Sequence, residues 1–147
     1  MTIEIKFLGA DDAGVLLQAA SGLFDDPIDP AATAAFLRDP LHHMFVAIED
    51  GFVVGFVSAV HYFHPDKPRP ELWINEVSVA PSHQRRGVGK RLMRSMLDAA
   101  RLLGCSEAWV LTDRSNAAAM QLYSSSGGIK PTDSLMFTFM LDGKSDS

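Results

Sequence analysis

Three scarcities narrow the field before any motif is read. A single cysteine, Cys105, among 147 residues excludes an intramolecular disulfide and suits a reducing compartment. No apolar run approaches the roughly 20 residues of a membrane-spanning helix. The opening MTIEIKFLGADD also lacks the basic-then-apolar layout of a signal peptide. A cytoplasmic protein with no membrane partner is therefore expected. Basic side chains are short too: 13 Lys and Arg against 18 Asp and Glu give a net charge of −5, which argues against a nucleic-acid partner. What is present, 47% hydrophobic and 21% charged residues, matches one ordinary globular domain, expected over 1–141 with a polar tail at 142–147.

Read in order, TIEIKF alternates as a strand. Asp11-Asp12 offer helix-capping chemistry, and Val15, Leu16, Ala19, Ala20 and Leu23 repeat at helical spacing. The proline-stiffened segment 24–30 breaks that helix, and a short one resumes over 31–38. Strands at 43–49 and 52–62 flank Asp50-Gly51, a two-residue hairpin signal. The next strand, 71–79, is apolar in both parities, with Leu72 and Ile74 against Trp73, Val77 and Val79, and so reads as central and covered on both faces. Residues 87–103 predict a helix with Val88, Leu92, Met96, Ala100 and Leu103 inward and Gly104 as its stop. A strand at 107–112, a helix at 116–125 and a last strand at 134–141 (SLMFTFML) complete the order β-α-α-β-β-β-α-β-α-β. This is an α/β (α+β) fold, a mixed sheet with helices on both faces.

The chemistry concentrates at the junction Asn75 to Lys90, NEVSVAPSHQRRGVGK. A strand runs through a glycine-bearing basic loop into a helix, which collects unpaired N–H groups at a positive helix end and so makes a phosphate site. The order Gln84-x-x-Gly87-x-Gly89 lacks the third glycine of a dinucleotide fingerprint, and Lys90 is not followed by Ser or Thr as in a nucleotide-triphosphate loop. Gly87 and Gly89 would let backbone approach the anion, while Arg85, Arg86 and Lys90 add charge.

Val77 to Lys90, supported by Asn116-Ala-Ala-Ala-Met-Gln-Leu-Tyr123-Ser-Ser-Ser-Gly127, resembles the GNAT superfamily of acyl-CoA-dependent N-acyltransferases over nearly the whole chain. The resemblance implies a centrally splayed sheet and acetyl-CoA as co-substrate. The diphosphate would lie on the loop Gln84, Arg85, Arg86, Gly87, Val88, Gly89 and Lys90, and the pantetheine arm would pair with Val77 and Val79. Asn116, Ala119 and Tyr123 would flank the cofactor from the following helix. One departure is Gly128, where the family usually carries a bulky residue. Within the superfamily, residues 68–79 resemble the aminoglycoside 3-N-acetyltransferases, which share an acidic residue at the position of Glu76.

An ammonium acceptor must lose a proton before it attacks a thioester, so Glu76 is the candidate base, its pKa raised by partial burial. The structural alternative is a carboxylate bonded to a neighbouring loop. Tyr123 is the candidate acid for the departing thiolate, against a plain core tyrosine, and a backbone N–H near Val77 to Val79 would polarise the carbonyl. Asp25, Asp26, Glu71 and Glu76 are candidates to receive a cation, although aspartates on such a loop also serve as turn formers. His61 and His64 lack further ligands at metal-site spacing, so no metal is expected, and Cys105 reads as buried filler.

The expected function is acetyl transfer from acetyl-CoA to a primary amine of a cationic small molecule, by direct attack in a ternary complex. An aminoglycoside at its 3-amine, and thus antibiotic resistance, comes first. Polyamine or peptide and protein amines are the alternatives within the class, and a non-catalytic coenzyme A sensor the alternative outside it. Family members are often dimers, so a homodimer is admitted.

Overall fold

The computed structural model describes residues 2–130 and 133–143. The segment 144–147 of the expected tail lies outside the described residues. Five strands lie side by side in chain order: β1 (Glu4–Phe7), β2 (His42–Glu49), β3 (Phe52–Tyr62), β4 (Glu71–Val79) and β5 (Glu107–Val110). The first three pairings are antiparallel and β4 with β5 is parallel. The β2–β3 hairpin turns as expected, with Asp50 at φ 53° and Gly51 at φ 82°, the two positive values a tight hairpin demands.

Helices cover both faces. On one lies α2 (Val88–Leu102), which buries Val88, Leu92, Met93, Met96 and Ala100 against β2, β3 and β4. Each large side chain so buried contributes about 1.5–3 kcal/mol of transfer free energy. Leu103 is not part of this stripe: as the C-cap it is more than a third exposed, and Gly104 at φ 83° stops the helix just beyond it. The short helix α3 (Ala117–Ser125) packs on α2, its start capped by the Asn116 side chain, which accepts the Ala119 N–H at 3.1 Å.

On the opposite face sit α1 (Pro30–Arg38), capped by Asp29, and residues Ala10–Leu17. The latter form a 3-10 helix, not the longer α-helix that the spacing predicts. The reason lies in the backbone: Ala20 donates to the Val53 carbonyl at 2.8 Å and Val53 donates to Gln18 at 2.7 Å, so the sheet takes groups a continuing helix would need. Its cap is Gly9, whose N–H donates to the Asp12 carboxylate at 2.7 Å.

Two further expectations are corrected. In β4 the doubly apolar pattern arises from a bulge, not from covering on both faces. Ser58 pairs with Glu76 and Ala59 with Ile74, leaving Asn75 as an extra residue that reverses the alternation. Leu72, Ile74, Val77 and Val79 thus all meet the cluster beneath α2, while Trp73 and Glu76 turn to the other face. Residues 134–141 form no strand: among the described residues they enter no ladder, and most of their apolar side chains are far more than half exposed. A strand is defined by its partner, and none is in place there.

The core also holds a stacked imidazole pair. His43 Nε2 and His61 Nδ1 are 2.7 Å apart, with ring centroids 4.9 Å apart, on the α2 side of β2 and β3. Burial, helped by His61 and His42 and opposed by Asp39, lowers the His43 pKa from 6.5 to about 4. The folded state therefore binds its proton less readily than the unfolded chain does. Stability should be unaffected above the unfolded value and fall as pH drops from 6.5 to about 4. Urea titrations should show His43 contributing roughly 2–3 kcal/mol to that loss, and His43→Phe should flatten the slope in this window.

Candidate active site

The β4–β5 ladder ends at Ile74 opposite Val110, yet β4 runs on to Val79. Over its last five residues β4 has β3 on one side and, among the described residues, no strand on the other, so the sheet opens there. Beyond the opening, Pro81–His83 make one 3-10 turn, and Arg85 (φ 63°) and Gly87 (φ 78°) bend the chain into α2. No side chain caps α2. Arg91 is the first helical residue whose N–H reaches a carbonyl of the turn, that of Gly87. The N–H groups of Val88, Gly89 and Lys90 are left to face an anion at the positive helix end.

The two glycines differ. Gly87 supplies the left-handed conformation, with open space where a side chain would stand. Gly89 was expected to give an anion room, but a Cβ there would lie 3.2 Å from a Leu122 methyl, so its smallness lets α3 dock on α2. Gly128 has a similar cause: its Cβ would come 2.8 Å from the Tyr123 carbonyl oxygen, which accepts the Gly128 N–H at 2.9 Å.

The loop is braced from behind. Gln84 folds back to donate to the Val79 carbonyl at 3.2 Å. Glu49, at the end of β2, meets His83 Nε2 at 2.8 Å and Arg86 at 3.5 Å, and His83 in turn meets Ser82 Oγ at 2.7 Å. The His83 hydrogen bond, outweighing burial, holds the Glu49 carboxyl below its ordinary range. Arg85, Arg86 and Lys90 are exposed, whereas the Val88 side chain is buried. From the loop a groove of about 690 Å³ runs between α2 and the end of α3, lined by Lys90, Arg91, Arg94 and Arg101 against Asp98. It lies along α2, not beside Glu76.

On the other face, Phe24 stacks on Phe56 with centroids 4.4 Å apart, and Ser78 Oγ donates to the Leu23 carbonyl at 2.9 Å. These contacts pin the loop that carries Asp25 over β3 and β4. The Glu76 side chain makes no hydrogen bond among the described residues and keeps exposed surface; partial desolvation of its carboxyl first, and then the Asp25 charge, raise its pKa. Tyr123 packs against the α2-side cluster, and burial raises its phenol too. Asp26 is exposed on the same loop as Asp25. Glu71, at the far end of β4, is buried and accepts from Tyr62 at 3.0 Å with His64 at 3.4 Å; these bonds outweigh desolvation and lower its pKa. Asn116 spends its side-chain oxygen on the helix cap.

Sequence reasoning missed Trp73 and Trp109. Their indoles stack 5.2 Å apart and 6° from parallel on the Glu76 face, with Trp73 more than a third exposed and Trp109 donating to Tyr62 Oη. The signal was available, since parallel strands place one tryptophan beside the other, but the bulge hid which face Trp73 takes. His83 and Glu49, 34 residues apart, gave no local signal. No group of three or more His, Cys, Asp or Glu among the described residues is placed to hold a metal. Cys105 is buried, as expected, and no described helix is long and apolar enough to cross a membrane.

Comparison with known proteins gives a consistent picture. The model of the acetyltransferase (GNAT) family matches residues 15–127. The chain is 37% identical over 127 residues to the N-alpha-acetyltransferase RimI of Mycobacterium tuberculosis, covering 85% of this chain and 77% of that one. It is 31% identical to N-acetyltransferase 8 of Rattus norvegicus over 112 residues, 75% of this chain, and spans only 50% of that relative. In fold it is similar to an aminoglycoside acetyltransferase from an uncultured soil metagenomic sample, solved with sisomicin: TM-score 0.82, 20% identity, 95% of this chain and 96% of that one. It is also similar to the aminoglycoside N-acetyltransferase AAC(6')-Iy, solved with CoA: TM-score 0.74, 21% identity, 95% of each chain.

The contrast between the glycines is testable. Gly87→Ala should lower the unfolding free energy by about 1 kcal/mol through backbone strain, whereas in Gly89→Ala the Leu122 contact opposes a helical gain of about the same size and the net change should be smaller. Shortening the neighbour with Leu122→Val should couple to Gly89→Ala and be additive with Gly87→Ala in a double-mutant cycle.

Proposed function

The chain belongs to the acetyltransferase (GNAT) family and is an acetyl-CoA-dependent N-acetyltransferase; from that premise we propose that its acceptor is a primary amine of a cationic small molecule, an aminoglycoside before a polyamine. The observation that carries this reading is Glu76. It is a carboxylate with a raised pKa and no hydrogen-bond partner, at the point where the sheet opens, with Asp25 held beside it. The Trp73–Trp109 surface on the same face supports it, because flat indole surface and nearby carboxylates together suit a ring-bearing cation. Asp26 extends the acidic rim, and Glu71 acts through the Tyr62 and Trp109 bonds that hold the indoles. The resemblance of residues 68–79 favours the 3-amine.

In this reading the N–H groups of Gly87, Val88, Gly89 and Lys90 take the diphosphate, aided by Arg85, Arg86 and Lys90, with Gln84 fixing the loop. The open edge of Val77 and Val79 pairs with the pantetheine arm, and Asn116 and Ala119 shape the start of α3 beside it. The thioester supplies the electrophilic carbonyl, which a backbone N–H of residues 77–79 polarises. Glu76 removes a proton from the ammonium, directly or through water, and its raised pKa brings it closer to its task. Tyr123 keeps its proton at neutral pH and gives it to the departing thiolate. No covalent enzyme intermediate is needed.

A second reading, acetylation of a protein N-terminal amine, is favoured by the similarity to RimI. Thiol release from acetyl-CoA should be measured with deoxystreptamine aminoglycosides, spermidine and N-terminal peptides, with the product's modified amine located by mass fragmentation. Turnover confined to peptides would overturn the small-molecule reading, and acetyl at another ring position would overturn the 3-amine.

Glu76→Gln and Tyr123→Phe should each lower kcat by roughly 10²–10⁴ while leaving coenzyme A affinity unchanged. The acid limb of kcat/KM should stand above the ordinary glutamate range in the native enzyme, as the direction of the Glu76 shift requires, and be lost in Glu76→Gln. Full activity in both variants would remove these roles.

A further inference from the structure

The turn into α2 has a carboxylate where plain charge complementarity would put none. Glu49 closes β2 and meets two residues of that turn, His83 Nε2 at 2.8 Å and Arg86 at 3.5 Å. The Glu49 and His83 side chains are only 14% and 13% exposed, against 45% for Arg86, so carboxylate and imidazole are enclosed between hairpin and turn. The Glu49 carboxyl stands below its ordinary range, so its negative charge is in place at neutral pH. Such a charge repels any anion that the turn receives, and more strongly as water is excluded. It also fixes its partner. A carboxylate only accepts, so His83 Nε2 carries the proton, which in the neutral ring leaves Nδ1 to accept from Ser82 Oγ at 2.7 Å. Among the described residues, the side chains of 82–87 hydrogen-bond to the rest of the protein at two places. Gln84 donates to the Val79 carbonyl, and His83 and Arg86 meet Glu49.

We propose that Glu49 and His83 are positioning residues for coenzyme binding. The carboxylate orders His83 and Arg86, and through them a turn with left-handed residues at Arg85 and Gly87. The affinity gained from a preformed turn exceeds the loss from the carboxylate's repulsion. This rests on the reading that residues 84–90 take the diphosphate, and not on which amine is acetylated. Its consequence runs against simple electrostatics: deleting a negative charge beside the anion site weakens the binding of the anion. The effect belongs to binding alone. Glu49 pairs with Phe52 and Glu76 with Ser58, so six positions of β3, roughly 20 Å, separate the brace from the carboxylate assigned to the chemistry. Loss of the brace therefore raises KM for acetyl-CoA and spares kcat.

Calorimetric titration of the full chain with coenzyme A should give a dissociation constant about tenfold higher, or more, in Glu49→Ala and in His83→Ala. Glu49→Gln keeps an oxygen for His83 but not the charge that holds Arg86, and should show a smaller rise. His83→Gln carries an amide N–H at about the reach of Nε2 and should recover most of what His83→Ala loses. The two alanine changes break the same bond and should be non-additive. KM for acetyl-CoA should rise in step, with kcat at saturating acetyl-CoA within about twofold of the parent. Hydrogen exchange in residues 84–90 of the coenzyme-free chain should quicken in Glu49→Ala while the amides of β3 hold. Arg85→Ala combined with Lys90→Ala separates the two readings. If this pair loses coenzyme A affinity while the Glu49 and His83 variants keep it, the brace alone fails; if none loses it, the reading of the turn fails as well. Equal or tighter coenzyme A binding in Glu49→Ala, or a fall in kcat matching that in kcat/KM, would also overturn the proposal.

Discussion

The extra residue in β4 is the constraint on which the site depends. A strand bonded on both sides has no backbone to spare for a ligand. At Asn75 the register with β3 slips by one, and at Ile74 the pairing with β5 ends. The slip turns Val77 and Val79 toward α2, where they anchor the end of the strand, and turns Glu76 to the opposite face. One inserted residue thus opens the sheet, secures the opened strand and aims a carboxylate beside it.

Charge is distributed along the same axis. The chain is acidic as a whole, yet the first turns of α2 carry Lys90, Arg91 and Arg94, where the uncapped helix end is already positive. Acidic groups gather across the sheet, where Phe24 and Ser78 hold the Asp25 loop near Glu76. Basic and acidic surfaces thereby lie on opposite faces of the sheet, on either side of the opening between β4 and β5. The brace of Glu49 on His83 and Arg86 keeps the loop in shape, while the exposed Arg86 pair itself adds little stability.

Features with short-range causes were legible in the sequence. The Asp50-Gly51 turn, most of the α2 stripe, the stop at Gly104 and the glycine-bearing turn into α2 are each set by residues a few positions apart. What was illegible depended on distant backbone. The helix expected over residues 11–23 yields to Val53, some thirty residues on, which claims Gln18 and Ala20. The two apolar parities of β4 cannot be told from a strand covered on both faces unless its register with β3 is known. Gly89 looked like room for an anion because Leu122, its actual neighbour, lies on another helix. Residues 134–141 have every local property of a strand, and such a pattern carries no information about whether a partner is in place.

The shifts at Glu76 and Tyr123 have the same sign and the same leading cause, burial, yet they suit opposite tasks. Raising a carboxylate's pKa makes it a better proton acceptor at neutral pH. Raising a phenol's keeps it protonated and able to donate. In the proposed reaction partial desolvation would thus serve both groups, although Glu76 keeps exposed surface and Tyr123 is the more enclosed of the two. Their placement on opposite sides of the sheet adds a restriction: Glu76 faces the loop of Asp25, and Tyr123 packs with the cluster beneath α2. A proton leaving an amine on one side and a proton arriving at a thiolate on the other can belong to one reaction only where the sheet is open. The gap between β4 and β5 is the place where the proposed reaction would bring the two groups together.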